Sequence, residues 1–426
     1  MGANTPSLAS RTKLSLVLVS RSWRRLGVQI LYRHIVIRSP ARANAILQVL
    51  EHSHSSTSSP DLGRAETSTP LQRYGEWTRH IEVYTHMRGS GQISFLQTVF
   101  KILCRCPHLQ FLSGRWTHQL PVEFLRGVSD LFGPSLLGLY WADTMPDHDT
   151  FATPEFLGSF QALRILDLRH FKGGDFTLRP PHSPSLTLPC VQDIILSNNL
   201  HSLQVATILD LPKLRNLTLH TNGSEPGENE HLREFLKAHG RSLVFVDLPS
   251  PSETDLELEN APIRRNAEYI TPDIFLAKDV CPNLESFIYS CASPVYPTNP
   301  HDNLLRIGIR GITAELLYPD KPSSIQNHLT VLKSDKYPRL ELVQLVGFLV
   351  EAHADSIMKD ACIWWVERFE KMGILFLDGE CVLWMYTEES PIEQVVPKKQ
   401  EDKRTMYLAT SAEAATKIKD KCVVEH

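Results

Sequence analysis

Apolar residues recur along the middle of the chain in a fixed spacing, with a first position followed by others at +3 and +5. Leu163, Leu166 and Leu168 form a typical copy. Residues at +3 and +5 of an extended segment point to the same side, so each copy predicts a short strand with one buried face. Eleven copies follow one another at a mean spacing of about 29 residues, a length typical of repeat proteins. Their first positions are Thr78, Leu109, Leu136, Leu163, Val191, Leu214, Leu243, Leu284, Leu304, Leu340 and Met372.

Helical stretches separate several of these copies. We expect helices at 94–105, 122–132, 230–239 and 271–278. One strand and its helix cannot bury their apolar side alone, whereas stacked copies share a continuous core. The pattern therefore predicts an α/β solenoid, with a curved parallel sheet on the concave side and helices on the convex side. An ordinary α/β domain, which also alternates strands and helices, is the alternative.

The composition divides the chain into four regions. Residues 1–37 are helical and basic, and 38–75 hold a helix at 42–50 followed by a linker rich in Ser and Thr. The repeats occupy 76–390, and 391–426 form a charged tail. Steps of 41 and 20 residues after Leu243 and Leu284 indicate either an insertion or one false copy between 243 and 340.

The first region predicts an amphipathic helix over 14–36, which Ser20 and Ser22 interrupt or cap again near Trp23. Two roles for its apolar stripe stay open: docking onto a partner protein, or covering the first repeat, since terminal repeats need a cover. The stripe consists of Leu16, Val19, Trp23, Leu26 and Ile30.

Polar residues flank the inward positions of the repeats, and we expect them on the concave surface of the sheet. Such a surface suits protein recognition, although plain solvent exposure is the alternative for each residue. The candidates for binding a target protein are Arg164, Asp167, Arg169, Asp193, Arg215, His220 and Glu285.

Composition and charge agree with a globular chain outside the membrane. Apolar residues make up 42% and charged residues 22%, and no apolar run approaches the roughly 20 residues that span a bilayer. The scattered cysteines predict buried thiols in a reducing compartment. The first 50 residues carry eight Lys and Arg and no acid, which indicates an acidic partner, nucleic acid or a solvated helix face.

No sequence motif for catalysis or for a cofactor is present. The nucleophile elbow, the phosphate loop and the dinucleotide-binding glycines are all missing. His231, Glu234 and His239 share a predicted helix, but their spacing is poor for a metal. We expect a protein that is not an enzyme and has no cofactor, with an unrecognised α/β enzyme as the alternative.

Two short segments carry a resemblance to a known family. Residues 18–26 read LVSRSWRRL and residues 31–35 read LYRHI, which resemble the third-helix region of the F-box and the segment after it in expanded fungal F-box-like families. The irregular repeats resemble the long leucine-rich repeats of F-box proteins. The Leu-Pro-x-Glu opening of an F-box has no counterpart in residues 1–10, so the resemblance implies a partial F-box.

The resemblance implies a substrate-recognition adaptor of a Skp–cullin–F-box type ubiquitin ligase. Its apolar stripe would bind the Skp adaptor, and its repeat surface would bind a target protein. It further implies a cytoplasmic or nuclear protein, monomeric outside the complex, that binds neither nucleic acid nor membranes. A leucine-rich-repeat interaction scaffold without a ligase link is the alternative.

Overall fold

The computed structural model describes residues 6–55, 73–85, 91–117, 120–143, 154–171, 186–220, 229–249, 270–294, 300–319, 323–333, 335–350 and 356–384. The chain forms two compact units, Met1–Leu243 and Val244–His426. Most of the predicted Ser/Thr-rich linker and the whole predicted tail lie outside the described residues.

The first unit alternates short strands with helices. Its described helices are α1 (Pro6–Val19), α2 (Arg21–Tyr32), α3 (Pro40–Ser55), α4 (Gly91–Cys104), α5 (Val122–Phe132), α6 (Pro154–Gly158), α7 (Leu200–Ile208) and α8 (Asn229–His239). Its described strands are β1 (His34–Ile37), β2 (His80–Tyr84), β3 (Phe111–Trp116), β4 (Gly138–Asp143), β5 (Ile165–His170), β6 (Leu186–Thr187), β7 (Asp193–Ser197), β8 (Leu209–Asp210) and β9 (Asn216–His220).

Seven of these strands form one sheet in the order β1-β2-β3-β4-β5-β7-β9, and every neighbouring pair is parallel. Strands β6 and β8 form a separate parallel pair. In each strand, one buried apolar residue lies directly beside a buried apolar residue of the neighbouring strand. The apolar interior is therefore continuous from strand to strand. These partners are Ile35, Ile81, Leu112, Leu139, Leu166, Ile194 and Leu217.

The second unit repeats this arrangement. Its described helices are α9 (Asp273–Leu276), α10 (Ser324–Val331) and α11 (Ser356–Glu370). Its strands are β10 (Phe245–Asp247), β11 (Ser286–Ser290), β12 (Arg306–Arg310), β13 (Leu342–Leu345) and β14 (Leu375–Leu377), all parallel to their neighbours. The buried register partners here are Val246, Phe287, Ile307, Val343 and Phe376.

The repeat pattern thus gives the fold class: both units are mixed α/β structures built on parallel strands. Leu166 and Leu168, at +3 and +5 of their copy, are fully buried, and the same holds for most copies. Each such leucine contributes about 2–3 kcal/mol of hydrophobic free energy relative to an exposed position. Strands follow all three of the copies at 243, 284 and 304, so none of these is a false copy.

The copy that starts at Leu109 fits the pattern least well, because a glycine occupies its +5 position. Gly114 occupies the inward +5 position of the copy at 109, where other copies have a large apolar residue. A Cβ atom at Gly114 would lie 2.3 Å from the indole ring of Trp116. The glycine is required because the buried Trp116 side chain fills the space that a +5 side chain occupies elsewhere.

The sequence pattern was wrong at both ends of the repeats. It did not include β1, which pairs in parallel with β2 upstream of the first recognised copy. In the last copy it assigned Met372, Leu375 and Leu377, but Val343 of the preceding strand pairs with Phe376. The copy is displaced by one residue, and Leu375 is therefore exposed instead of buried.

The predicted helices are present with small changes of boundary. The expected helix over 14–36 is divided into α1 and α2, and Ser20 begins the second because its hydroxyl accepts a hydrogen bond from the Trp23 N–H at 3.2 Å. The chain then leaves the helical conformation, and the end of the expected helix forms β1.

Buried histidines link the backbone of neighbouring repeats. In the second unit, Nε2 of His328 lies 2.9 Å from the carbonyl oxygen of Ser293 and 3.1 Å from that of Cys291. In the first unit, Nε2 of His239 lies 3.1 Å from the carbonyl oxygen of Ala206. Both rings donate from Nε2, and burial lowers the pKa of each, so both are neutral at pH 7.

These histidines predict a loss of stability in mild acid. Since the folded-state pKa of His328 is lowered, its stabilisation is present above the unfolded-state pKa of about 6.5 and is lost as the pH falls below it. The loss between pH 7.5 and 5.5 is at most about 1.4 kcal/mol for one histidine. Urea unfolding of wild type and H328Q at both pH values measures it. Glutamine keeps a donor but does not titrate, so equal pH dependence in the two proteins would contradict the expectation.

Candidate functional site

Helices α1 and α2 pack against each other at one glycine. Val17 of α1 is buried, and a Cβ atom at Gly27 of α2 would lie 2.9 Å from its Cγ2 atom. At the end of α2, the Tyr32 ring stacks on the Tyr74 ring with 4.5 Å between centroids. The inner side of the helix pair is therefore occupied by small and aromatic residues.

The predicted apolar stripe lies on the outer side of this helix pair. Trp23, Leu26 and Ile30 are spaced i, i+3 and i+7 along α2, and Leu16 and Val19 are three apart on α1. The five side chains are between 42% and 71% exposed. These exposures leave the stripe available to a partner, while α2 also packs beside β1 and the 3-10 helix Tyr74–Trp77 at the start of the repeats. The exposed arginines Arg21, Arg24 and Arg25 lie beside them on α2.

Three of the predicted target-binding residues come together on the polar face of the first sheet. The Arg169 guanidinium contacts the Asp167 carboxylate through Nε at 3.1 Å and Nη2 at 2.8 Å. Its Nη1 lies 3.4 Å from Nε2 of His220, which is 51 residues away in the chain. Asp167 itself is buried, so it fixes the arginine and presents little surface to a partner.

The remaining predicted residues are separate from that cluster. Asp193 accepts a hydrogen bond from the Asn216 side-chain amide at 2.6 Å. Arg164 and Arg215 are exposed at the residue before their strands, at the entrance of the repeat. Glu285 is exposed at the equivalent position of the second unit. The structure thus places these side chains at the surface without joining them into one site.

A cleft of about 260 Å³ lies on the same face, above strands β2 to β5. Aromatic and charged side chains line it together: Glu82, Tyr84, Arg115, Tyr140, Asp167, Arg169 and His170. Burial raises the pKa of Tyr140, and the Asp167 carboxylate raises it further, so the phenol stays protonated and can donate a hydrogen bond. Aromatic rings beside an arginine are typical of protein-recognition surfaces.

At the β1 edge of this face, two histidines and one glutamate converge. His34 and His80 are register partners on β1 and β2, and their rings stack with 4.4 Å between centroids. Glu82 Oε1 lies 2.9 Å from His34 Nε2. One ligand atom from each of the three residues falls within 4.8 Å of the others, which is the kind of cluster that can hold a metal ion. The helical set of His231, Glu234 and His239 is not such a cluster, because the His239 ring is bound to a backbone carbonyl.

Sequence reasoning missed Tyr84 on β2 and Arg115 on β3, which complete this face together with Tyr140 on β4. Both alternate with the buried apolar residues of their copies, so the period of two was a signal that could have identified them. The two histidines are 46 residues apart, and only the strand register brings them together.

Comparison with known proteins gives no family for the chain. No known protein-family model and no curated protein sequence matches it. Among the described residues, no helix combines the length and the apolar character needed to cross a membrane.

Proposed function

We propose that this protein is a substrate-recognition adaptor of a Skp–cullin–F-box type ubiquitin ligase. Its repeats would be leucine-rich repeats of a solenoid, its polar sheet face would bind a target protein, and α1 and α2 would be a partial F-box that binds the Skp-type adaptor. In this role it supplies proximity, while partner enzymes carry out the chemistry. We place it in the cytoplasm or nucleus, as a monomer when outside the complex.

The order of the strands supports a solenoid over an ordinary α/β domain. Within each unit the sheet strands follow one another in chain order, with no crossover that skips a neighbour. A doubly wound α/β domain instead reverses its strand order near the middle of the sheet. Each repeat here contacts the repeats before and after it, as expected when the stacking of equivalent units builds the core.

The polar sheet face supports recognition of a protein. Its cleft combines Tyr84, Tyr140, Arg115 and Arg169, which are the residue types enriched at the energetic centres of protein interfaces. The Asp167 carboxylate fixes the guanidinium of Arg169, so less side-chain entropy is lost on binding. Such a surface fits a partner segment that carries both acidic groups and apolar side chains.

The observation that carries the adaptor proposal is the exposed stripe on α1 and α2. Leucines, a valine, an isoleucine and a tryptophan lie at the surface of two short helices that contact each other at Val17 and Gly27. Exposed apolar patches of this kind mark sites of protein association. The three arginines beside the stripe favour a partner surface with an acidic rim.

Binding to a purified Skp-type adaptor tests the proposal. We expect the full chain to bind, and W23A and L26A each to raise the Kd at least tenfold, because each removes a large apolar contact at the centre of the stripe. I93A is the matched control, since Ile93 is an equally exposed apolar residue on α4 outside the stripe. Biolayer interferometry gives the dissociation constants.

Two results would contradict the ligase role. One is a wild-type chain that does not bind the adaptor, and the other is a loss of affinity in I93A as large as in W23A. The scaffold without a ligase link would then be the better description, because the repeat face would keep its recognition chemistry while the stripe would not contact a ligase.

A further inference from the structure

We propose that His34, His80 and Glu82 form a binding site for a divalent transition-metal ion, with Zn²⁺ the best fit. The three ligand atoms come from two adjacent strands of one parallel sheet, and they lie within 4.8 Å of one another. Two imidazoles and a carboxylate are a ligand set that zinc uses in sites where a fourth position stays open. The inference does not depend on the proposed ligase role.

The strand register produces the convergence. His34 and His80 are direct neighbours across β1 and β2, so their rings lie side by side, stacked at an interplanar angle of 12° with 4.4 Å between centroids. Glu82 is two residues after His80, which returns its side chain to the same face of the strand. The sheet keeps the three side chains adjacent on one face, and rotation of one imidazole out of the stack brings both ring planes onto one ion.

The contact between His34 and Glu82 is poor for a hydrogen bond and suitable for metal ligands. The buried Nε2 of His34 is paired with Glu82 Oε1 at 2.9 Å, but this contact lacks the angular geometry of a ring N–H hydrogen bond. The oxygen therefore lies off the direction in which a ring N–H donates. Ligands of a tetrahedral zinc ion, bound at about 2.0–2.1 Å, are separated by about 3.3 Å, close to this distance. A zinc ion would replace this poorly aligned contact with a bond to each of the two ligand atoms.

Hydrogen bonds to the outer atoms of the ligands complete the site. Tyr84 Oη donates to Glu82 Oε2 at 3.2 Å, and the Ser113 hydroxyl lies 2.8 Å from His80 Nε2. Groups of this kind orient metal ligands, and their loss typically weakens metal binding tenfold or more. Glu82 also lines the cleft of the candidate target surface, so the open position of the ion would lie beside that cleft.

The ion would also link the first two strands of the sheet. β1 follows directly after α2, and β2 begins the next repeat, so one ion bound to both strands joins the N-terminal helix pair to the repeats. A ligand that binds only the folded state stabilises it, and the gain in free energy grows with the logarithm of the ligand concentration once the site is saturated. We therefore expect zinc to raise the melting temperature of the chain.

The test uses the full chain, freed of metal with a chelator and titrated with ZnCl₂ by calorimetry. We expect one zinc equivalent in the wild type, and at least a tenfold weaker site in H34Q and in E82Q. H108Q is the matched control, because His108 is an exposed histidine outside the cluster. The zinc-dependent rise in melting temperature should be present in wild type and H108Q and absent in H34Q and E82Q.

Two outcomes overturn the proposal: no stoichiometric zinc binding in the wild type, or binding by H34Q and E82Q that equals binding by H108Q. Circular dichroism of the metal-free proteins reports whether each variant is folded. Should H34Q or E82Q fail to fold, S113A removes only a hydroxyl that orients His80, and an unchanged zinc affinity in S113A would then count against the site.

Discussion

The W141A variant is expected to lose about 3–5 kcal/mol of unfolding free energy, because it removes the largest side chain at the centre of the first unit's core. Trp141 on β4 is 2% exposed. Its ring lies 5.1 Å from that of Trp116 and 5.0 Å from that of Phe156. The substitution therefore removes aromatic contacts on both sides and leaves a cavity that the short strands cannot close.

The effect of W141A is measured by urea unfolding monitored by circular dichroism. W364A is the matched control, since Trp364 on α11 is 40% exposed and its neighbours can be solvated after truncation. We expect W364A to change the free energy by less than about 1 kcal/mol. Similar losses in the two variants would show that the stacked rings of the first unit do not form its energetic centre.

A second large effect is expected at the last strand, where D378A should lose about 2–4 kcal/mol. Asp378 is 2% exposed. Its carboxylate accepts hydrogen bonds from the backbone N–H groups of Glu380 and Val382 and from Nε1 of Trp384, at 2.9–3.0 Å. Alanine leaves three donors without this acceptor, and hydrogen bonds to a charged group are stronger than neutral ones.

The D378N variant tests whether the lost hydrogen bonds, and not the substitution as such, cause the loss of stability in D378A. The asparagine carbonyl oxygen can keep the two bonds that Oδ1 accepts from the backbone, whereas its NH₂ group cannot accept from Trp384. We therefore expect D378N to lose less stability than D378A in thermal and urea unfolding. Equal losses would indicate that the charge, and not the set of acceptors, stabilises this end of the chain.

The last repeat also shows where sequence reasoning fails. Met372, Leu375 and Leu377 fit the apolar spacing there, whereas the set one residue later, Gly373, Phe376 and Asp378, holds one large apolar residue. The pairing of β13 with β14 nevertheless aligns Phe376 with the inward Val343, and Phe376, Leu377 and Asp378 are buried while Leu375 is exposed. A buried aspartate does not look like an inward residue in a sequence. Its place depends on the N–H groups of the following turn, which only the folded chain positions.

The N-terminal stripe is a different case. Helical spacing predicts that Trp23, Leu26 and Ile30 share one face of a helix, and they do. The same spacing arises for a covered face and for an open one, so the sequence left docking and capping as equal alternatives. Only the structure gives the exposure of the stripe: Val17 packs against Gly27, and the five stripe residues stay 42–71% exposed.

The sequence by itself determined the mixed α/β class of this protein and the faces of most strands, because alternation along a strand is a local property that residue order sets. The tertiary structure decided the register between strands, the exposure of the stripe and the meeting of His34, His80 and Glu82. Those features depend on which segments become neighbours across tens of residues. A shift of one residue in the pairing turns each side chain to the opposite face, and where the apolar alternation is weak, as at β14, only the pairing of the folded strands selects the register.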